Sequence, residues 1–154
     1  MAWEERMKTE GTEPAAVRRG RMEEDRMKIE ELMKLCKDAD LDGYGVLELY
    51  SVKDLAEIYN GIGPDRFPKI LRDALSALHP TLLPCALIHD VQYHIGGSYE
   101  DFTVANKMFG DNGRKMAYWR YRWYDPRRYL VAHKARIFAE LCQTFGLNGY
   151  NKKG

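Results

Sequence analysis

The amino-acid sequence predicts an all-α fold, and three observations carry that reading. Apolar residues recur at helical spacing in successive runs. Glycine, proline and aspartate breakers separate those runs. Ser51 and Ser98 each precede an acid by three residues (Asp54, Asp101), the spacing of a capping box. No strand-like alternation persists anywhere, and no internal repeat is present.

Residues 1–21 read as a flexible arm, being charged, carrying Gly11, Pro14 and Gly20, and lacking a periodic apolar face. A helix is predicted over 22–37, where Met22, Ile29, Leu32, Met33 and Cys36 fall near helical spacing. "DADLDGYG" (38–45) breaks it. Ser51 opens the next helix, with Val52, Leu55, Ala56 and Tyr59 as its stripe, and "NGIGP" (60–64) ends it. Residues 68–78 restart a helix through Ile70, Leu71, Ala74, Leu75 and Leu78. After "HPTLLP" (79–84), a helix over 84–95 begins on Pro84 and stops at Gly96-Gly97. Ser98 caps the following helix (98–118), whose inner stripe is Phe102, Ala105, Asn106, Phe109 and Met116. The two-residue glycine turn makes these helices a central antiparallel pair. Beyond Asp125-Pro126, a last helix carries Tyr129, Leu130, His133, Ile137, Leu141, Cys142 and Phe145 as its stripe, ending at Gly146.

Composition narrows the functional classes. A chain of 154 residues suits one domain. Its net charge of +1 gives no overall field toward nucleic acid or an acidic partner. It has no run of 18 apolar residues and no apolar signal core near its start, so neither a transmembrane helix nor Sec export is expected. Three cysteines, Cys36, Cys85 and Cys142, are too sparse for a disulfide framework and fit a reduced compartment. Cys85 with Cys142 is the one pair considered.

Two motifs carry chemistry: "YNGIG" (59–63) and "HDVQY" (89–93). Together, in this order, they resemble the phospholipase A2 superfamily, which pairs a glycine-rich calcium loop with a helix bearing H-D-x-x-Y. The stretch "CALIHDVQYHIGGSYEDFTVANKMF" is similar to a branch of phospholipase A2-like proteins found in phages and prophages. The resemblance covers roughly residues 50–118. The first 45 residues and the last 30 are not explained by it, and the chain divides into an arm, helix and Asp/Gly loop over 1–47 and an expected phospholipase A2-like helical domain over 48–154. A cytoplasmic or virion-associated protein acting on a phospholipid or membrane surface is then expected.

The resemblance implies calcium-dependent hydrolysis of a glycerophospholipid sn-2 ester. The carbonyls of Tyr59, Gly61 and Gly63 and the carboxylate of Asp90 would hold Ca²⁺, a hard cation that takes six to eight oxygens at about 2.3–2.6 Å. His89 would deprotonate the attacking water, a role suited to a side chain whose unperturbed pKa is about 6.5. Calcium and a backbone N–H near Gly61 would hold the oxyanion. Tyr93, one turn on, would steady the network. The family offers an aspartate to the distal nitrogen of the histidine; the matching residue here is Asn106. Asp101, five residues earlier, points about 140° away. An amide orients the ring but cannot stabilise an imidazolium by charge. In a serine protease the corresponding change lowers the rate about 10⁴-fold, so weakened or absent hydrolysis is expected, the latter leaving a binding or structural protein. Asn60 stands where secreted forms carry a half-cystine, and the interval from Gly63 to His89 holds an additional helix.

Two other stretches compete for function. Asp38, Asp40, Asp42 and Gly43 match positions 1, 3, 5 and 6 of an EF-hand loop, but position 12 is Leu49 rather than glutamate. An Asp/Gly turn is the simpler reading. "YWRYRWYDPRRY" (118–129) interleaves aromatics with arginines. It suits a nucleic-acid surface, a lipid headgroup layer or a helix-helix corner with snorkelling arginines. His79, His94 and His133 have no ligand-spaced partners and read as surface or packing residues.

Overall fold

A computed structural model describes residues 13–61 and 68–150, and the regular elements among them are all helical. They are α1 (Ala15–Asp38), α2 (Val52–Gly61), α3 (Lys69–Ser76), α4 (Leu83–Ile95), α5 (Tyr99–Arg120) and α6 (Pro126–Phe145). Three 3₁₀ turns join them, at Tyr44–Leu49, Pro80–Leu82 and Gly146–Gly149. None of these helices is long and apolar enough to cross a membrane.

Helix α4 lies at the centre. Pro84 through His89, Val91 and Tyr93 are all buried, and the helix packs against α1, α2 and α5. A helix that is apolar on nearly every side has to be wrapped in this way. Its end follows the glycine signal: Gly96 and Gly97 have φ of 71° and 138°, where a side chain would be strained. The capping box at the start of α5 is complete. Ser98 Oγ accepts from Asp101 N at 3.2 Å, and Asp101 Oδ2 accepts from Ser98 N at 2.9 Å. Ser51 Oγ likewise accepts from Asp54 N, at 3.1 Å.

Three features differ from the sequence reading. Helix α1 begins at Ala15 and runs through Gly20, seven residues before the periodic run at Met22. An interior glycine costs only about 1 kcal/mol, too little to break a helix anchored by Ile29, Leu32 and Cys36 in the core. The remainder of the expected arm, 1–12, lies outside the described residues. Second, α4 and α5 pack together as expected, but α5 also packs, more extensively, against α6. Third, α6 buries another face than expected. Val131, Ala135, Phe138, Ala139 and Cys142 point inward, while Tyr129, Leu130, His133, Ile137 and Phe145 are exposed. The cause is close approach: Gly110 and Gly113 of α5 meet Ala139 and Ala135 of α6, and the larger side chains on the other face do not fit there.

All three cysteines are buried free thiols, so the Cys85–Cys142 pair is not formed. Cys36 Sγ donates to Pro84 O at 3.3 Å, and burial pushes its thiol up to about 12. The "DADLDG" loop is a turn held by protein groups. Asp40 (φ 52°) and Gly43 (φ 78°) adopt left-handed backbone. Asn112 clamps Asp42 twice, accepting from its N–H at 2.7 Å and donating to its carbonyl at 2.9 Å. The ammonium of Lys115 sits where a cation would, at 2.9 Å from Asp42 Oδ1 and 3.2 Å from Asp40 O.

Candidate functional site

His89 and Asp90 are consecutive on α4, so their side chains diverge by about 100°. They enter two different surroundings. His89 turns toward α5 and α6. Its ring stacks obliquely on Tyr93 (centroids 4.2 Å apart) and meets Phe109 and Phe138 edge-on. It is 5% exposed. Its Nε2 lies 2.9 Å from Asn106 Oδ1, which also accepts from the Tyr93 hydroxyl at 2.7 Å. An amide oxygen only accepts, so Nε2 carries the ring proton and Nδ1 is the acceptor. Burial pulls the imidazole down to about 4, against a smaller upward effect of the Asn106 bond. The ring is therefore neutral at pH 7.

Asn106 is itself held. Its Nδ2 donates to Gln143 Oε1 at 2.9 Å, and Gln143 Nε2 donates to Tyr99 Oη at 3.2 Å and Thr103 Oγ1 at 3.1 Å. Tyr93, fully buried, also hydrogen-bonds Cys142. Burial raises both the Tyr93 phenol and the Cys142 thiol. The structure thus brings His89, Tyr93 and Asn106 together, with Asn106 as the inward residue of its helix and Asp101 spent on the cap. Gln143 was not foreseen. It lies 37 residues from Asn106, on a helix whose buried face the apolar pattern misassigns.

Asp90 faces the opposite way, into a cavity of about 210 Å³ lined by Tyr59, Leu75, Leu78, Leu83, Ala86 and Asp90 itself. Burial raises its carboxyl well above the ordinary range. No ion pair or hydrogen bond to this carboxylate is present among the described residues. The same cavity wall raises the Tyr59 phenol to about 12, by burial first and then by the Asp90 charge. Tyr59 stands near the end of α2, which closes on Gly61. The last four carbonyls of a helix have no partner within it, and they form the negative end of its dipole. Of the expected calcium residues, Tyr59 and Asp90 thus share a cavity, Gly61 ends the adjacent helix, and Gly63 lies outside the described residues. His89 does not line this cavity.

No protein-family model, curated protein or solved structure matches this chain.

A half-buried carboxylate with no counterion among the described residues, beside the carbonyl end of a helix, is a fitting partial shell for Ca²⁺. Among the described residues no cluster of three or more acids, histidines or cysteines adds to it.

The 118–129 stretch forms the corner between α5 and α6. Asp125 caps α6, accepting from Arg127 N at 2.9 Å. Tyr121 packs against His79 and lies 3.2 Å from Thr81 Oγ1, so the corner is tied to the turn that leads into α4. His79 Nδ1 accepts from Thr81 N at 3.2 Å and caps that turn. His94 packs edge-on against Tyr50.

Proposed function

We propose that this chain is a phospholipase A2-like protein that hydrolyses a glycerophospholipid sn-2 ester slowly and with calcium. The observation that carries the reading is the bond from His89 Nε2 to Asn106 Oδ1, which leaves Nδ1 as a neutral base at physiological pH. Asp90 and the carbonyls of Tyr59 and Gly61 would hold the ion. Calcium, when bound, supplies positive charge to the ester carbonyl oxygen. His89 Nδ1 would take the proton of the attacking water, which has to reach a ring that lies outside the Asp90 cavity, and Tyr93 and Asn106 keep that ring from rotating. The rate is low for two reasons. A base near 4 gives little driving force for proton removal, and an amide does not stabilise the imidazolium that forms.

Hydrolysis of mixed phospholipid micelles in Ca²⁺ and in EDTA tests this. The expected result is a slow, calcium-dependent release of fatty acid that His89→Gln abolishes. Asn106→Asp should raise the rate by at least tenfold, because a carboxylate beside Nε2 favours the charged ring. Equal rates in EDTA, or retained activity in His89→Gln, would reject the reading.

A second reading, a non-catalytic phospholipid-binding relative, is favoured by one specific observation. The cavity opens at Asp90, while His89 is enclosed by Tyr93, Phe109 and Phe138. A fold intact by circular dichroism with no hydrolysis in either wild type or Asn106→Asp would select it.

A further inference from the structure

The corner at residues 118–129 takes no part in the chemistry above, yet its surface is the most unusual on the molecule. Residues 114–129 hold six cations (Arg114, Lys115, Arg120, Arg122, Arg127, Arg128) and one acid, Asp125, in a chain whose net charge is +1. The basic charge is therefore concentrated here, and the rest of the chain is net negative. Asp125 is spent on Arg127, at 2.7 Å. Arg120 and Arg122 have no carboxylate partner among the described residues. With Tyr121, Tyr124, Asp125 and Arg127 they line an open cavity of about 470 Å³. Beside it project two large aromatic side chains, Trp123 at 73% exposure and Tyr124 at 60%. Trp119, on the last turn of α5, is also exposed.

We propose that this corner binds an anionic phospholipid surface, with Arg120, Arg122 and Arg127 around headgroup phosphate and Trp123 and Tyr124 entering the interfacial layer. Guanidinium groups match phosphate oxygens in pairs, and Trp and Tyr settle at the boundary between headgroup and acyl chain. The ring geometry distinguishes this partner from single-stranded nucleic acid. Base stacking needs free aromatic faces, but Arg128 lies 3.9 Å over the Tyr118 ring and Arg127 lies 4.8 Å over that of Tyr121. Trp123 and Tyr124 stand at 87° to one another and give no common platform. The aromatics that remain free project at a turn, where they can enter a lipid layer but cannot line a strand.

In naming phospholipid, this inference rests on the functional reading above, but it stands on other residues. The test therefore separates the two by using full-length His89→Gln in EDTA, where hydrolysis does not occur. Co-sedimentation is measured with vesicles of phosphatidylcholine alone and of phosphatidylcholine with phosphatidylglycerol. Binding is expected only to the anionic vesicles, weakening as salt rises. Arg120→Gln with Arg122→Gln should weaken it roughly 30-fold, from about 1 kcal/mol per basic residue near such a surface. Trp123→Ala with Tyr124→Ala should remove most of the blue shift of tryptophan emission on binding. These side chains are exposed, so unchanged circular dichroism is expected as the folding control. Equal binding to both vesicle types, no effect of the arginine pair, or tighter binding to a single-stranded oligonucleotide than to vesicles would overturn the proposal. Absence of binding by His89→Gln to either vesicle type, with micelle hydrolysis by the wild type intact, would reject the corner and leave the active-site reading standing.

Discussion

His89 and Asp90 share a helix turn, yet their surroundings displace their proton equilibria in opposite directions. The imidazole is pulled down to about 4, because burial disfavours its charged form. The carboxyl of Asp90 is pushed up for the same reason. The signs decide the pH dependence of stability. A histidine lowered from about 6.5 contributes stability that is fully present above the unfolded value and lost as pH falls through the folded one. An aspartate raised above its unfolded value contributes stability that is present at low pH and lost as pH rises. The two oppose each other in the wild type. In Asp90→Asn, measured in EDTA, the histidine effect should stand alone. Urea unfolding should show a loss on the order of 3 kcal/mol between pH 6.5 and about 4, steeper than in wild type. A steeper slope in wild type would contradict the assignment. The inward placement of Asn106 and Tyr93 was legible because both fall on helix faces set by local spacing. Gln143, which orients Asn106, was not, because its side chain arrives from another helix.

Apart from the start of α1, helix starts and stops were legible because their causes are local. Ser98 and Asp101 cap α5 within one turn, Asp125-Pro126 opens α6, and Gly96-Gly97 closes α4. The face of α6 was not. Its exposed Leu130 and Ile137 are more apolar than its buried Ala135 and Ala139, so hydrophobicity points the wrong way. Closeness of backbone decides instead, and two glycines on α5 test this. A Cβ at Gly113 would overlap Ala135, so Gly113→Ala should cost about 1–3 kcal/mol. A Cβ at Gly110 would lie 3.4 Å from Ala139, an ordinary contact. Gly110→Ala should then be neutral or stabilise by up to about 1 kcal/mol through helix propensity. Thermal melts of the two variants should move in different directions, and equal shifts would remove this account of the packing.

The assembled molecule offers two acidic places where a cation can be sought, and the tertiary contacts distinguish them. At Asp42 the position is taken by Lys115, with Asn112 fixing the backbone. At Asp90 a half-buried carboxylate with no ion pair among the described residues faces a cavity beside the end of α2. Ligands that bind the native state raise its melting temperature. Millimolar Ca²⁺ should therefore raise the melting temperature of wild type and of Asp42→Asn alike, and leave that of Asp90→Asn unchanged. The shift should shrink as pH falls, since a protonated Asp90 cannot bind the ion. A shift that disappears with Asp42 and persists without Asp90 would place the cation in the wrong loop.

From the sequence alone follow the all-helical class, the caps and breakers that bound the helices, and the face of α5 that carries Asn106. Each rests on interactions within about one helical turn, where neighbours in the chain are neighbours in space. Three other features needed the folded chain: the inward face of α6, the bond from Asn106 to Gln143, and the ammonium that fills the Asp40–Asp42 turn. They join groups 22 or more residues apart. Contacts at that separation depend on how whole helix surfaces fit together, which no local pattern encodes.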